Sequence, residues 1–350
     1  MTETDFAHEL AHIFYSSMND YNISAVFYLT QHCNLACPDC YMFANPDVPK
    51  NMLPVDDIKF YMSELKTLPN FYPAACFSGG EVFTLPLDYL RENIVNGLNA
   101  KLFVDLKTNG VWVTDNEKCH AIFDMLRSVD VPNDLRTPNM DMLEYVRTKK
   151  MSWGDKKKFG LYRAWVCHDI DKCLRYLSEL LKNKWHCDLM DSPLSLTVSV
   201  DDTVHIADSG KWFMKIVHNI VYDDELRRKI TLGRVKIVNP GTMDEKYTFD
   251  VFRGYGVTGL KSEKVSPKSS NYFNGEWIKK PIYENGELVE QGLINLFFWP
   301  DRTVALDSGL NFQPIGRVSY VNPDGSYKKM PEIMDNIVAQ LMRDYIKYQR

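Results

Sequence analysis

Short apolar runs rich in aromatic and β-branched residues recur along the chain between longer segments whose apolar positions fall three and four apart. The first pattern predicts strands and the second amphipathic helices. Residues 6 to 18 carry the helical period, and Ser24 to Thr30 reads as the first strand. Pro54 to Leu68 predicts a helix with apolar Val55, Ile58, Phe60, Tyr61 and Leu65. Ala74 to Ser78 is a short buried strand, Leu85 to Leu98 a helix, Lys101 to Lys107 a strand and Asn116 to Ser128 a helix. The alternation resumes with a strand over Leu194 to Val200, a helix over Lys211 to Val221 and a strand from Ile230 to Val238. Strands alternating with helices define an α/β class.

Residues 130 to 190 interrupt that alternation and read as a helical insertion. Thr137-Pro138 is a helix start, with a first helix to about Arg147 and a second from about Phe159 to Lys184. After Pro240 the composition shifts to Gly, Ser, Asn and Tyr with many charges, and residues 253 to 275 read as a Gly-rich loop. Trp277 to Ile282 and Leu288 to Trp299 read as strands around the turn Glu284-Asn285-Gly286. A further strand covers Val304 to Leu306, and Pro331 to Lys347 closes the chain as an amphipathic helix. The expected organisation is an N-terminal helix in 1–20, an α/β body in 21–240 and a small β-rich C-terminal extension in 241–350.

Composition narrows the class without naming a reaction. The chain of 350 residues is 45% apolar and 25% charged, as a globular protein is. A net charge of −5 gives no reason to expect a nucleic acid partner, and the basic run Arg147 to Lys158 is broken by Trp153 and Asp155. The acidic start Met1-Thr2-Glu3-Thr4-Asp5, with no long apolar segment after it, predicts neither signal peptide nor membrane helix. Eight cysteines at irregular spacing are not a secreted disulfide framework, so a reducing cytoplasm is the expected location.

Three of those cysteines, Cys33, Cys37 and Cys40, have the spacing C-x3-C-x2-C directly after the first strand. A short loop can bring three thiols onto one inorganic cluster. Thiolates are the usual ligands of iron–sulfur clusters, normally four per cluster, so three leave one iron open. The same triplet on its own also suits a structural zinc site. Gly79-Gly80-Glu81 follows the second strand, and two glycines let a backbone approach a neighbour closely. Asn109-Gly110 ends the third strand, and Ser199 and Asp201 end the fourth. Two formal motifs are chance matches. His8-Glu9-Leu10-Ala11-His12 lacks a cleft and a third ligand. Gly254-Tyr255-Gly256-Val257-Thr258-Gly259 opens no helix, which a dinucleotide site needs.

The cysteine stretch, Cys76-Phe77-Ser78-Gly79-Gly80-Glu81, Lys107-Thr108-Asn109-Gly110 and, more loosely, Ser199-Val200-Asp201 together resemble the radical S-adenosylmethionine (SAM) superfamily, over roughly residues 20 to 240. The resemblance implies a partial (β/α)6 TIM-type barrel. It implies one 4Fe–4S cluster on Cys33, Cys37 and Cys40, and SAM held by Gly79, Gly80, Glu81, Asn109, Ser199 and Asp201. The family often has an aromatic residue just before the third cysteine, near the adenine. This chain has Asp39 there, and Tyr41 is the candidate to take that place. The implied reaction is reductive cleavage of SAM to a 5′-deoxyadenosyl radical that takes hydrogen from an unactivated C–H bond. A flavodoxin- or ferredoxin-type protein would supply the electron. The runs Phe298 to Leu306 and Pro314 to Val318 resemble the SPASM/twitch-type C-terminal extension of peptide maturases, without its cysteines, since none follows Cys187. That suggests a ribosomally made peptide as substrate. A small-molecule natural-product or cofactor intermediate is the alternative, and a non-catalytic iron–sulfur or zinc protein is the reading from another class.

Overall fold

The computed structural model describes residues 21–37, 40, 42, 44–68, 70–135, 137–138, 190–199, 209–235, 278–279, 282–284, 287–290, 292–306 and 315–348. In chain order the elements begin with β1 (Tyr21–Thr30), α1 (Val55–Leu65), β2 (Phe71–Gly79), α2 (Leu87–Asn99), β3 (Phe103–Thr108) and α3 (Asn116–Arg127). There follow β4 (Thr137–Pro138), β5 (Met190–Asp191), β6 (Leu194–Ser199), α4 (Ser209–Tyr222), α5 (Asp224–Lys229) and β7 (Thr231–Val235). The last are β8 (Ile278–Lys279), β9 (Ile282–Glu284), β10 (Glu287–Glu290), β11 (Gly292–Phe298), β12 (Thr303–Leu306), β13 (Ile315–Ser319) and α6 (Met330–Tyr348). They fall into two compact units, Met1–Thr84 with Pro267–Arg350, and Leu85–Ser266.

In the first unit the strand order is β13-β12-β11-β1-β2. β1 pairs in parallel with β2 on one side and with β11 on the other, Phe27 lying opposite both Phe77 and Phe298. β12 and β13 then add antiparallel strands at the far edge. A strand with a neighbour on each side and helices over it reads as a nearly continuous apolar run. In β1, Phe27, Tyr28, Leu29 and Thr30 are all buried. The β1–β2 ladder skips from Ile23↔Phe71 to Ala25↔Ala75, two residues against four. Pro73 lies in the longer arm, where its missing N–H cannot serve a ladder.

The helical layer of this unit follows from spacing. α1 buries Ile58, Tyr61, Met62 and Leu65, and its first turn carries Asp56 and Asp57, which suit the positive end of the helix. α6 buries Met330, Ile333, Met334, Ile337 and Val338. Phe298 stacks on Phe27 at 4.9 Å and meets Tyr61 of α1 at 5.2 Å.

Asp57 is almost fully buried and gathers four side-chain hydrogen bonds. Arg302 grips it twice, Nε to Oδ2 at 3.0 Å and Nη2 to Oδ1 at 3.2 Å. The Tyr320 hydroxyl donates to Oδ2 at 2.9 Å and that of Tyr327 to Oδ1 at 2.8 Å. Burial and the Asp57 carboxylate push the Tyr327 hydroxyl up to about 12 and raise that of Tyr320, so both stay protonated donors. Arg302 occupies the left-handed region at φ 63°, where glycine or asparagine is usual. Its guanidinium on a buried carboxylate explains why an arginine stands at that turn.

In the second unit β3, β6 and β7 are parallel neighbours. Val104, Leu106, Leu196 and Val198 are buried on one face of this sheet. On the other face Asp105 accepts hydrogen bonds from Ser195 (2.6 Å) and Thr197 (2.7 Å) and pairs with Lys107 at 3.3 Å. The helices are capped as the sequence allows. Asp115 accepts from Lys118 N–H ahead of α3, and Asp223 accepts from Glu225 and Leu226 N–H ahead of α5.

Both units are α/β, as expected; the sheet β3-β6-β7 of the second is parallel, and the first joins a parallel β11-β1-β2 core to antiparallel β8, β12 and β13. Three local expectations change. Thr137 and Pro138 themselves form β4, antiparallel to β5 through Thr137↔Asp191 and Pro138↔Met190; an edge strand tolerates a proline. The single strand expected over Leu288 to Trp299 is two, β10 pairing with β9 and β11 pairing with β1. The strand expected over Trp277 to Ile282 is likewise two, β8 and β9. The 6–18 helix with its H-E-x-x-H, both insertion helices, Cys167, Cys173, Cys187, His205 and the Gly-rich 253–275 stretch lie outside the described residues.

Candidate functional site

β1 delivers the chain into the cysteine loop at Thr30, and main-chain contacts fix the loop's base on both sides. On one side His32 pairs with Asn45 in an isolated bridge, Cys33 N–H donates to Asn45 O at 3.3 Å, and the His32 ring donates from Nδ1 to Val48 O at 2.8 Å. On the other side Gly80 N–H donates to Thr30 O at 2.8 Å and Glu81 N–H to His32 O at 3.0 Å.

The glycine pair makes that second contact possible. Gly79 has φ +134°, and a Cβ there would stand 2.2 Å from Thr30 O. At Gly80 a Cβ would stand 2.1 Å from His32 O. The close approach is therefore to the backbone of the loop entrance. The turn after it is fixed by Glu81, whose Oε1 accepts from Phe83 N–H at 3.1 Å while its carbonyl accepts from Thr84. Glu81 is buried.

The thiols differ in setting. Cys33 is buried, while Cys37 and Cys40 are half-buried. Cys40 N–H donates to Cys37 O at 3.2 Å, closing a turn that puts the second and third cysteines at its two ends. Leu35 N–H donates to Cys33 Sγ at 3.4 Å. Burial pushes the Cys33 thiol up to about 12 against that N–H bond, and Glu81, Cys37 and Cys40 add to the rise. Those three groups thus lie within electrostatic reach of its sulfur. Among the described residues, no three His, Cys, Asp or Glu side chains close around a single ion-sized position.

The donor chemistry fits an iron–sulfur cluster. Three thiols share one loop, and the buried one favours its neutral form unless a metal offsets its charge; a coordinating thiol is deprotonated by the metal itself. The Leu35 N–H aimed at Cys33 is the kind of second contact that tunes a ligating sulfur.

Asn109 and Ser199 belong to the second unit. Asn109 is buried, and its Oδ1 accepts from Val111 N–H at 3.0 Å, while Thr108 Oγ1 accepts from Gly110 N–H (3.1 Å) and Trp112 Nε1 (3.0 Å). Gly110 holds φ +79°, with Ile216 and Val198 each 3.2 Å from where a Cβ would be. Ser199 is half-buried at the end of β6, opposite Val235. Tyr41, Asp39 and Asp201 lie outside the described residues. His32 and Asn45, which clamp the loop, match no motif and went unmarked in the sequence; only the position of His32 beside Cys33 hinted at a role.

A parallel α/β layer with a three-cysteine loop at a strand end defines a candidate metal-centre protein. No family profile matches the chain, and no curated protein matches it. Among solved structures it is similar to Streptococcus suis SuiB bound to precursor peptide SuiA, with 11% identity, 94% of this chain and 68% of that chain covered, and a TM-score of 0.36. It is similar also to HydG, a maturase of the [FeFe]-hydrogenase, with 13% identity, 69% and 48% covered, and a TM-score of 0.26.

Proposed function

We propose that the chain is a radical SAM enzyme acting on a peptide. The observation that carries this is the cysteine loop itself: Cys33, Cys37 and Cys40 on one loop, its entrance clamped to Gly79-Gly80-Glu81 by two main-chain hydrogen bonds. A 4Fe–4S cluster there, given one electron by a flavodoxin- or ferredoxin-type partner, would supply reductive cleavage of SAM to a radical able to take hydrogen from an unactivated C–H bond. The protein's part is to hold, orient and exclude water. Cys33 anchors from the buried side and Cys37 and Cys40 from the half-buried side. Glu81, fixed by Phe83 N–H, presents a carboxylate for the amino group of SAM. Asn109, Ser199, Asp201 and Tyr41 are proposed for the rest of the nucleotide. The maturase-like runs at 298–306 and 314–318 support a peptide substrate, modified by epimerisation or a carbon-centred cross-link.

The test is anaerobic reconstitution with iron and sulfide. The expected outcome is about four irons and four sulfides per chain, cluster absorbance, and release of 5′-deoxyadenosine on reduction with SAM present. Cys37→Ala should remove both signals. Zinc alone, with no SAM binding, would mean a structural site instead.

A further inference from the structure

Three thiols on one loop allow three disulfides, and the backbone favours one of them. Cys40 N–H donates to Cys37 O at 3.2 Å, the main-chain bond of a four-residue turn. The Cα atoms at the ends of such a turn lie within about 7 Å, and a disulfide spans about 4.4–6.8 Å between Cα atoms. Cys37-Pro38-Asp39-Cys40 is also a C-x2-C sequence, the spacing of redox-active dithiols.

Cys33 is held out of that pairing. Its N–H donates to Asn45 O at 3.3 Å, and its sulfur accepts from Leu35 N–H at 3.4 Å. The residue is 7% exposed, whereas Cys37 and Cys40 are half-buried. Exchange with an outside disulfide needs a thiol that the reagent can reach, so access selects the outer two.

The base of the loop does not depend on the outer turn. The Gly80 N–H bond to Thr30 O, the Glu81 N–H bond to His32 O and the His32 ring bond to Val48 O are all made by other residues. Joining residues 37 and 40 leaves these contacts in place. It removes two of the three sulfurs proposed for the cluster, because the thiolate is the metal ligand.

We propose that Cys37 and Cys40 are a site of reversible oxidative modification: in the metal-free protein a low-molecular-weight disulfide such as oxidised glutathione links them to each other and so closes the loop to metal. The inference rests on the cluster reading above and concerns the same thiols before metal arrives. One loop thiolate attacks the outside disulfide and releases one glutathione thiol. The other loop thiol then displaces the second glutathione from the mixed disulfide. The loop dithiol gives up two electrons and two protons, and the oxidant takes both as its S–S bond becomes two thiols.

The test treats the full-length, metal-free protein with oxidised glutathione, alkylates it in denaturant and maps its peptides by mass. Residues 1–50 hold three cysteines and no lysine or arginine before Lys50. Within that peptide only Cys33 should carry the alkyl group, no glutathione should remain attached, and prior reduction should return alkylation to all three. Cys40→Ser should stop at a glutathione adduct on Cys37, and Cys33→Ser should still form the bond. Co²⁺ uptake, read by its thiolate absorbance, should be lost from the oxidised protein and return after reduction by a phosphine. The urea midpoint of the oxidised form should not fall below that of the reduced form. A bond through Cys33, a persistent adduct on the parent, no oxidation, equal Co²⁺ uptake by both forms or a lowered midpoint would overturn the proposal. The outcome is separable from that of the radical reading. A Cys37–Cys40 bond in a protein that, once reduced and reconstituted, releases no 5′-deoxyadenosine defeats only the latter, and release without any such bond defeats only the former.

Discussion

Replacing Gly80 by alanine asks whether the glycine pair serves the cysteine loop or a ligand. A Cβ at residue 80 would lie 2.1 Å from the His32 carbonyl oxygen, where real contacts do not fall below 3.0 Å. The carbonyl must therefore retreat by 0.9 Å (3.0 minus 2.1). The obstruction is backbone, so no rotamer change relieves it. Two main-chain bonds are strained by that retreat, Gly80 N–H to Thr30 O and Glu81 N–H to His32 O. Each is worth about 1 kcal/mol, and a buried donor left unpaired costs more, so the expected loss is about 2–4 kcal/mol. Because His32 adjoins Cys33, the displacement also moves the first cysteine of the loop. Urea unfolding of the metal-free protein should show the loss in stability, and iron per chain after reconstitution should fall well below that of the parent. Gly325→Ala is the control. Its φ of +85° strains any side chain, which the backbone of Gly80, with no positive φ, does not, yet nothing lies within 4 Å of its Cβ position. It should cost about 1 kcal/mol and leave iron unchanged. If Gly80→Ala keeps parental stability and iron and only weakens SAM binding, the loop-clamping argument is wrong and the glycine serves the ligand.

Four further outcomes follow from the geometry. Asp57→Ala should destabilise the first unit by about 3 kcal/mol, at the low end for a broken buried pair because Arg302 is 43% exposed, and Tyr320→Phe by about 1–2 kcal/mol; urea midpoints check both. Burial alone would raise the Asp105 carboxyl, but Lys107 and the Ser195 and Thr197 hydroxyls outweigh it and its pKa is lowered. Its stabilisation is then complete above the ordinary carboxylate value of about 3.9 and lost as pH falls through the lower folded value, so Asp105→Asn should be weaker than the parent at neutral pH and converge with it in acid. In metal-free protein Cys33, pushed up to about 12, should be alkylated at neutral pH far more slowly than an ordinary exposed thiol, read by peptide mass mapping; fast labelling would contradict its burial. A chain ending at residue 277 should fail to fold the first unit, because it lacks β11 beside β1 and α6, and would show this as lost protease resistance of residues 21–84.

What the sequence made legible is what short-range patterns control. β1, β2, β3, β6 and β7 carry apolar runs closed by turn residues, and α1 to α4 and α6 carry an apolar stripe, so their existence followed from periodicity, with ends shifted by a few residues. The cysteine loop was legible for a different reason, since three thiols at C-x3-C-x2-C after a strand stand apart from the irregular spacing of the other five. Asn109-Gly110 was legible as a turn, which its Oδ1 bond to Val111 N–H and the positive φ of Gly110 bear out. No pattern announced Arg302 in a left-handed turn. Its reason is Asp57, 245 residues earlier in the chain.

The position of β11 was the least legible feature and has the largest consequence. A run such as Leu293-Ile294-Asn295-Leu296-Phe297-Phe298 says strand, but nothing local says which strand it joins. The answer lies in matched faces. Phe298 stacks on Phe27 to build the apolar side, and Asn295 accepts from Ser24 on the polar side, at a separation of 271 residues. A slip of one residue would put Asn295 among the phenylalanines and Phe298 on the face of Ser24, so the register is strongly specified. Once that register holds, Trp299 must come level with Tyr28, beside the strand that enters the cysteine loop. The tail therefore reaches the strand that enters the cysteine loop through the same pairing that stabilises the first unit. A residue's distance from the cysteines in sequence is then a poor guide to its part in the site.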